Sequence, residues 1–465
     1  MGPFSLRQYT TGRGCPGNRS AFCPSRRQQT TTPPPTADFS TGSNAMPLFA
    51  LIDCNNFYCS CERLFRPDLR RRPVAVLSNN DGCVVARSAE VKALGIAMGT
   101  PLFQIRHLVK QHDIVLFSSN YGLYADISAR VMASLRAFSD HLEVYSIDEA
   151  FIDLTAAQAD LASCGQAIRE QLYRHVGVPV SVGIAPTKTL AKLANGAAKR
   201  FRQCHGVVDL SQPERQRRLL ALTPLEEVWG VGRQLGPRLA RLGIRTALQL
   251  AEMDVRFVRQ RFSVVLERTV RELNGESCLE LEEVPAPQKQ LVCSRSFGER
   301  IETYDELRQA LSQLVCQAAA RLRHQALKAG IVTLFIRTSP HDTQQPYYGN
   351  RASTSLGEAS NDSRVLLPLA LRLFDKLWRE DLRYAKGGVQ LEGLCPADQV
   401  QPGLFHSPQN EGKGKQLMQA LDRLNQSGRA RVYFGAQRPE ADWFMTRTLL
   451  SPAYTRSWDE LPQVR

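Results

Sequence analysis

At 465 residues the chain is too long for one ordinary hydrophobic core, so two to four domains are the expectation. With 43% hydrophobic and 22% charged residues it is globular; no apolar run approaches the ~20 residues of a membrane span, and a net charge of +14 points to a polyanionic partner, nucleic acid before membrane surface. The twelve cysteines show no Cys-x-x-Cys spacing, and the local cluster of Cys54, Cys59 and Cys61 has no matching second cluster, which reads as reduced thiols in a cytosolic protein.

Residues 1–45 are rich in Ser, Thr, Pro, Gly and Arg and lack apolar periodicity, so disorder is expected. They have neither an amphipathic pattern nor an apolar signal core, and Met46 reads as the natural start. Residues 48–52 form a continuous apolar run, as in a strand buried on both faces, and it ends on Asp53. Two short strands at 74–77 and 84–86 flank an Asn80-Asp81-Gly82 turn, after which Ser88 is placed to cap a short helix that stops at Gly95. Residues 121–138 carry helical periodicity and are expected to back the sheet.

The acids come next. Residues 142–154 read as two strands hinged at Asp148-Glu149. Such a pair alone is ordinarily a solvated hairpin tip, but these carboxylates are flanked by Ile147 and Phe151 and would repel each other out of water unless a cation neutralised them. Asp53, at the end of a buried strand, has the same need. Three carboxylates around two divalent ions are suited to phosphoryl or nucleotidyl transfer.

A strand at 178–184 leads through Pro186-Thr187 into a helix that carries Lys188, Lys192 and Lys199 on one face. Residues 228–232, Val-Trp-Gly-Val-Gly, have the form of a helix-hairpin-helix, with the following helix running through Leu242. Gly230, Val231 and Gly232 would bring the backbone close to a phosphate without reading sequence. A Pro-containing linker at 283–289 precedes a βαββαβ order, the pattern of a small two-layer domain. The tail from 396 reads as loop-rich.

Three motifs in this order, DCNNFY at Asp53 to Tyr58, SNNDGCVVARSAE at Ser78 to Glu90 and YSIDEAF at Tyr145 to Phe151, resemble the Y-family of translesion DNA polymerases. The likeness is to the UmuC type, the catalytic subunit of DNA polymerase V, and runs from about Met46 to the C-terminus. It implies an α+β right-hand polymerase: palm at 46–210 with inserted fingers at about 57–118, a helix-hairpin-helix thumb at 211–285, a βαββαβ little finger at 286–395, and a tail at 396–465. Asp53 and Asp148 would hold two Mg²⁺, with the Cys54 carbonyl as a backbone ligand and Glu149 completing the primer-side site.

By the same resemblance Tyr58 packs beneath the sugar and rejects a 2′-hydroxyl, while Lys92 and Lys199 contact the triphosphate; Lys188 and Lys192 are left open. Gln401, Leu404 and Phe405 resemble the short peptide by which bacterial polymerases dock on the sliding clamp. The implied activity is error-prone translesion synthesis in the SOS response, from primer-template DNA and dNTPs in the cytoplasm. The implied partners are a processed UmuD-type accessory dimer and a RecA-type recombinase filament. Two rivals remain: a non-catalytic DNA-binding scaffold of a repair complex, and a metal-dependent phosphodiesterase, disfavoured because no extra His or carboxylate cluster would position an attacking water.

Overall fold

The computed structural model describes residues 47–461 apart from 158–159, 285, 400–407, 428–430 and 439–444, and of 408–411 only the backbone. The leader 1–45 and the peptide at 401–405 therefore lie outside the described residues.

Strand β1 (Phe49–Cys54) is buried along its length, as its apolar run requires. Asn56, at φ 51°, turns the chain into helix α1 (Phe57–Leu64). Strands β2 (Val74–Leu77) and β3 (Val84–Arg87) follow, joined through Asn80 and Asp81, both at positive φ. Then come helices α2 (Ala89–Ala93) and α3 (Leu102–Gln111) and strand β4 (Val115–Ser118). Ser88 occupies the cap position of α2, but its hydroxyl accepts from the Val74 amide (3.1 Å), not from the helix. A buried strand-end amide has no water to fall back on, whereas a short exposed helix does.

Helix α4 (Tyr121–Leu135) is capped by Asn120, which accepts from the Leu123 amide. Strands β5 (Leu142–Val144) and β6 (Glu149–Asp153), helix α5 (Leu161–His175), strand β7 (Val180–Ala185), helix α6 (Lys188–Arg200) and strand β8 (Val207–Asp209) follow. Five helices continue the chain: α7 (Pro213–Leu222), α8 (Leu235–Ala240), α9 (Ala247–Ala251), α10 (Val255–Arg261) and α11 (Val264–Leu273). Beyond them lie β9 (Gln290–Ile301), α12 (Tyr304–His324), β10 (Leu327–Thr338), β11 (Gly349–Ser360), α13 (Ser363–Leu377), β12 (Tyr384–Pro396) and α14 (Pro408–Gln426).

The strands assemble into three sheets, ordered β5-β6-β1-β7-β8, β11-β10-β12-β9 and β3-β2-β4. The chain falls into two compact units. The first comprises residues up to Arg72, Asn120–Val284 and the segment from Pro452; the second comprises Pro73–Ser119 and Pro285–Ser451. In the first, β1 lies antiparallel between β6 and β7, and α6 packs on the sheet. The far side of α6 shares one core with α7–α11, through Leu190 and Ala194 against Leu220, Val231, Leu250 and Val270. In the second, α12 and α13 pack on the βαββαβ sheet around Phe297, Leu311, Val332 and Phe374.

Several expectations change. Helix α4 packs beside α1 and α5, and α6 and α5 both lie on the five-stranded sheet. Periodicity reveals a buried stripe but not its partner. Residues 57–72, with α1, fall in the same compact unit as the five-stranded sheet. The helix after the 228–232 hairpin stops at Ala240, and a turn with Gly243 at φ 84° follows. The tail contains a 19-residue helix, α14, held to α12 by a two-pronged ion pair between Arg323 and Asp422 (both 2.7 Å). Among the described residues no helix is long and apolar enough to cross a membrane.

Candidate active site

Alternation along β1 sends Phe49, Leu51 and Asp53 to one face, and the ladder sets Glu149 opposite Asp53 and Phe151 opposite Leu51. This is the face that α6 covers. The helix can approach because residue 183 of β7 is glycine. A Cβ there would stand 2.2 Å from the Asn195 amide nitrogen and 2.4 Å from the Ala191 carbonyl, both helix backbone. Asn195 reaches down from α6 and donates to the carbonyls of Leu51 (3.1 Å) and Ser181 (2.8 Å), pinning the helix to two strands at once. At its start Thr187 accepts from the Leu190 amide and donates to the Glu272 carbonyl, anchoring α6 to α11.

With α6 so fixed, each of its three lysines meets a carboxylate. Lys188 pairs with buried Glu143 of β5. Lys192 Nζ lies 2.8 Å from Glu149 Oε2, and Lys199 Nζ lies 2.5 Å from Asp53 Oδ2. Lys192 and Lys199 are two turns apart, which keeps them on one stripe above the acids. The Lys192 ammonium also sits 4.1 Å from the centre of the Tyr145 ring and 5.2 Å from that of Trp229, whose rings meet edge to face.

Asp148 occupies the turn before β6, so adjacent acids escape the opposite-face rule of a strand. Ser146 makes that turn. Its hydroxyl donates to Asp148 Oδ1 (2.7 Å) and accepts from the amides of Asp148 (3.2 Å) and Glu149 (3.0 Å), using its donor and both lone pairs. The Cys54 amide donates to the Asp148 carbonyl (2.8 Å), tying the end of β1 to the same turn.

Burial pushes the carboxyl of Asp53 up to about 7 despite the opposing Lys199, with Glu149 adding to the rise. Burial also raises Asp148, against the hydrogen bond from Ser146. At Glu149 burial acts the same way, but Lys192, with Asp53 and Lys199 adding to it, holds this carboxyl below its usual range. The donor set is oxygen only, three carboxylates beside the backbone of Cys54, and Asp53 remains short of positive charge even with a lysine against it. That is the chemistry of hard divalent cations. Among the described residues no group of three or more such side chains stands preassembled as a metal site. Asp53 and Glu149 are paired with lysine ammoniums instead.

Tyr58 stands on α1, half-buried, where the Asn56 turn has aimed it. It stacks on Tyr124 of α4, centroids 4.2 Å apart and planes 14° off parallel. Tyr124 is fully buried and donates to Glu62 Oε1 (2.7 Å). Burial pushes the Tyr58 hydroxyl up to about 12, with Tyr121 and Asp148 adding to it, so the ring is neutral at any working pH.

Of the other expected residues, Lys92 is on the exposed side of α2, in the second unit. Gly230, at φ 90°, and Gly232 are exposed, while Val231 is buried in the core beneath them. Sequence reasoning missed Ser146, Gly183, Asn195, Tyr124 and Glu62. Ser146 alone left a local trace, a hydroxyl two residues before an acid; the rest act across at least 40 residues or through packing.

Comparison with known proteins gives the fold and the family. The chain matches the Y-family DNA polymerase chimera Dbh-Dpo4(243-245)-Dbh with a TM-score of 0.61 at 18% identity, over 74% of this chain and 98% of that one. The fold is thus that of the Y-family DNA polymerases, with palm, fingers, thumb and little finger. The impB/mucB/samB family model matches residues 52–196, its C-terminal domain 288–404, and a domain of unknown function 415–464. Protein ImpB of Salmonella typhimurium is 50% identical and Protein UmuC of its strain LT2 49% identical, each over 90% of this chain and 100% of the relative. DNA polymerase IV of Bacillus velezensis is 26% identical over 81% of this chain and 89% of its own. The chain belongs to the impB/mucB/samB family.

Proposed function

We propose that the protein, as a DNA-directed DNA polymerase of this family, performs error-prone translesion synthesis in the SOS response. It would add dNTPs to a primer 3′ end opposite damaged template by two-metal nucleotidyl transfer. The observation that carries this reading is the meeting of Asp53, Asp148 and Glu149 at one end of the β1–β6 pair beneath the lysines of α6.

Asp53 and Asp148 would hold two Mg²⁺, with the Cys54 carbonyl as a further ligand and Glu149 on the primer side. Bound there, the ions supply activation of the attacking oxygen and neutralisation of phosphate charge. Ser146 keeps the Asp148 carboxylate aimed, since a hydroxyl that also holds two backbone amides has one orientation. Lys199, whose side chain is 40% exposed beside Asp53, would contact the triphosphate. Lys92 would serve the same phosphates from the fingers. Gly230, Val231 and Gly232 would meet a DNA phosphate without reading sequence. Primer extension by wild type against Asp148→Ala tests the reading: equal extension by both would leave a DNA-binding scaffold in its place.

Tyr58 would lie under the sugar of the incoming nucleotide. Tyr58→Ala is expected to keep polymerase activity and to admit ribonucleotides, because removal of the ring leaves room for a 2′-hydroxyl. Tyr124→Leu is expected to give a weaker shift in the same direction, because the supporting ring is lost while Tyr58 stays. Single-nucleotide incorporation with paired dNTP and rNTP measures both, and unchanged discrimination in Tyr58→Ala would return that residue to the core.

The proposed partners are the sliding clamp, a processed UmuD-type dimer and a RecA-type filament. For the clamp, replacing Leu404 and Phe405 by Ala is expected to remove clamp-stimulated synthesis without lowering activity on short primers. An apolar pair filling a pocket gives weak binding that matters once DNA holds both proteins together. A full clamp response from the double variant would reduce the segment to a loop.

A further inference from the structure

Residues 445–451 lie inside the stretch matched by a domain of unknown function, and within the second unit they bind the β2–β3 turn. The Thr446 amide donates to Asn80 Oδ1 (3.0 Å). The amide and hydroxyl of Thr448 both donate to Asp81 Oδ2 (3.0 and 3.1 Å). Leu449 pairs with Ser118, the last residue of the edge strand β4: the Ser118 amide donates to the Leu449 carbonyl (2.9 Å), and the Leu449 amide donates to Ser118 Oγ (3.0 Å).

Asn80 has a second role. Its Nδ2 donates to the carbonyls of Ser296 (3.2 Å) and Phe297 (3.1 Å) on β9. One side chain therefore joins the turn of the fingers, a strand of the little finger and the returning tail. Asn80 and Asp81 have φ of 59° and 48°, consecutive non-glycine residues in the left-handed region. Residues other than glycine hold that conformation when neighbours over-determine it. Those neighbours include β9 and the tail, which bind both side chains, beside the turn's own bonds, in which the Asp81 amide donates to the Ser78 carbonyl (3.1 Å) and the Gly82 amide to that of Asn79.

We propose that residues 446–449 are a clasp that holds the β2–β3 turn and the end of β4 in place, with Asn80 locking the clasped turn to β9. The C-terminal segment is then a positioning element for the fingers, and its effect on catalysis rests on the reading of residues 73–119 as the part that covers the incoming nucleotide.

The test uses the full chain with Thr448→Pro, which removes both bonds to Asp81, and Thr448→Ser, which keeps them. Hydrogen exchange of the amides of Ser118 and of residues 81–83 is expected to speed up by about tenfold or more in Thr448→Pro and to stay near wild type in Thr448→Ser, while β1 and β12 keep their protection. The KM for dNTP is expected to rise about fivefold with kcat within about twofold, because the turn orders on binding and not in the chemical step. Unchanged exchange at these amides overturns the clasp. Faster exchange with an unchanged KM upholds the clasp and overturns the reading of residues 73–119 as nucleotide-covering fingers. If β1 and β12 also lose protection in Thr448→Pro, Thr448→Val, which removes only the hydroxyl of an exposed residue, decides by the same readouts.

Discussion

Asp148→Asn is expected to lower nucleotidyl transfer by about a thousandfold while primer-template affinity stays within about twofold of wild type. The asymmetry follows from where the charges sit. The acids are gathered at one strand end and turn, whereas in the proposed reading DNA affinity would come from the chain's net charge of +14 and from exposed backbone of the hairpin. Asparagine keeps the shape and one oxygen, so Ser146 retains a partner and the turn survives. Asp53→Asn and Glu149→Gln are expected to behave alike, with one difference. Each leaves a lysine of α6 without its carboxylate, Lys199 or Lys192, so some of their loss comes from a displaced ammonium. Pre-steady-state incorporation with separate DNA titration distinguishes the two parts. Turnover near the wild-type rate in a double variant of these acids would remove them from the chemistry.

Gly183→Ala is expected to cost about 1–3 kcal/mol of stability and most of the activity, although the residue touches no substrate. A methyl group there meets the amide of Asn195 and the carbonyl of Ala191, which are backbone atoms and cannot rotate away. The helix must lift off the sheet. Lifting it breaks the bonds from Asn195 to Leu51 and Ser181 and carries Lys192 and Lys199 away from the acids together. Thermal unfolding followed with primer extension measures the two effects. Full activity at wild-type stability would mean that α6 does not rest on this strand.

The first strand, its terminal acid and the acidic hairpin were legible because each is a local pattern: an apolar run closed by Asp53, and alternation broken by Asp148-Glu149. The βαββαβ order was legible for the same reason. The partners of the α6 lysines were not. Periodicity placed Lys188, Lys192 and Lys199 on one face, but which carboxylate each meets depends on the stacking of α6 on β1 and β7, which Gly183 permits and Asn195 locks. Likewise the stripe on α4 announced burial, and only packing showed that it stacks Tyr124 on Tyr58.

The sequence by itself determined the elements, the acids and the family resemblance, because hydrophobic pattern, turn chemistry and motif order are written in neighbouring residues. The tertiary structure alone decided which helix covers the face that carries Asp53 and Glu149 and which unit residues 73–119 join. It alone brought the distant tail back to Asn80 and Asp81. Those contacts join residues tens to hundreds of positions apart, and polar side chains such as Asn80 and Asn195 acquire their roles only when the backbone groups they bind are brought within reach.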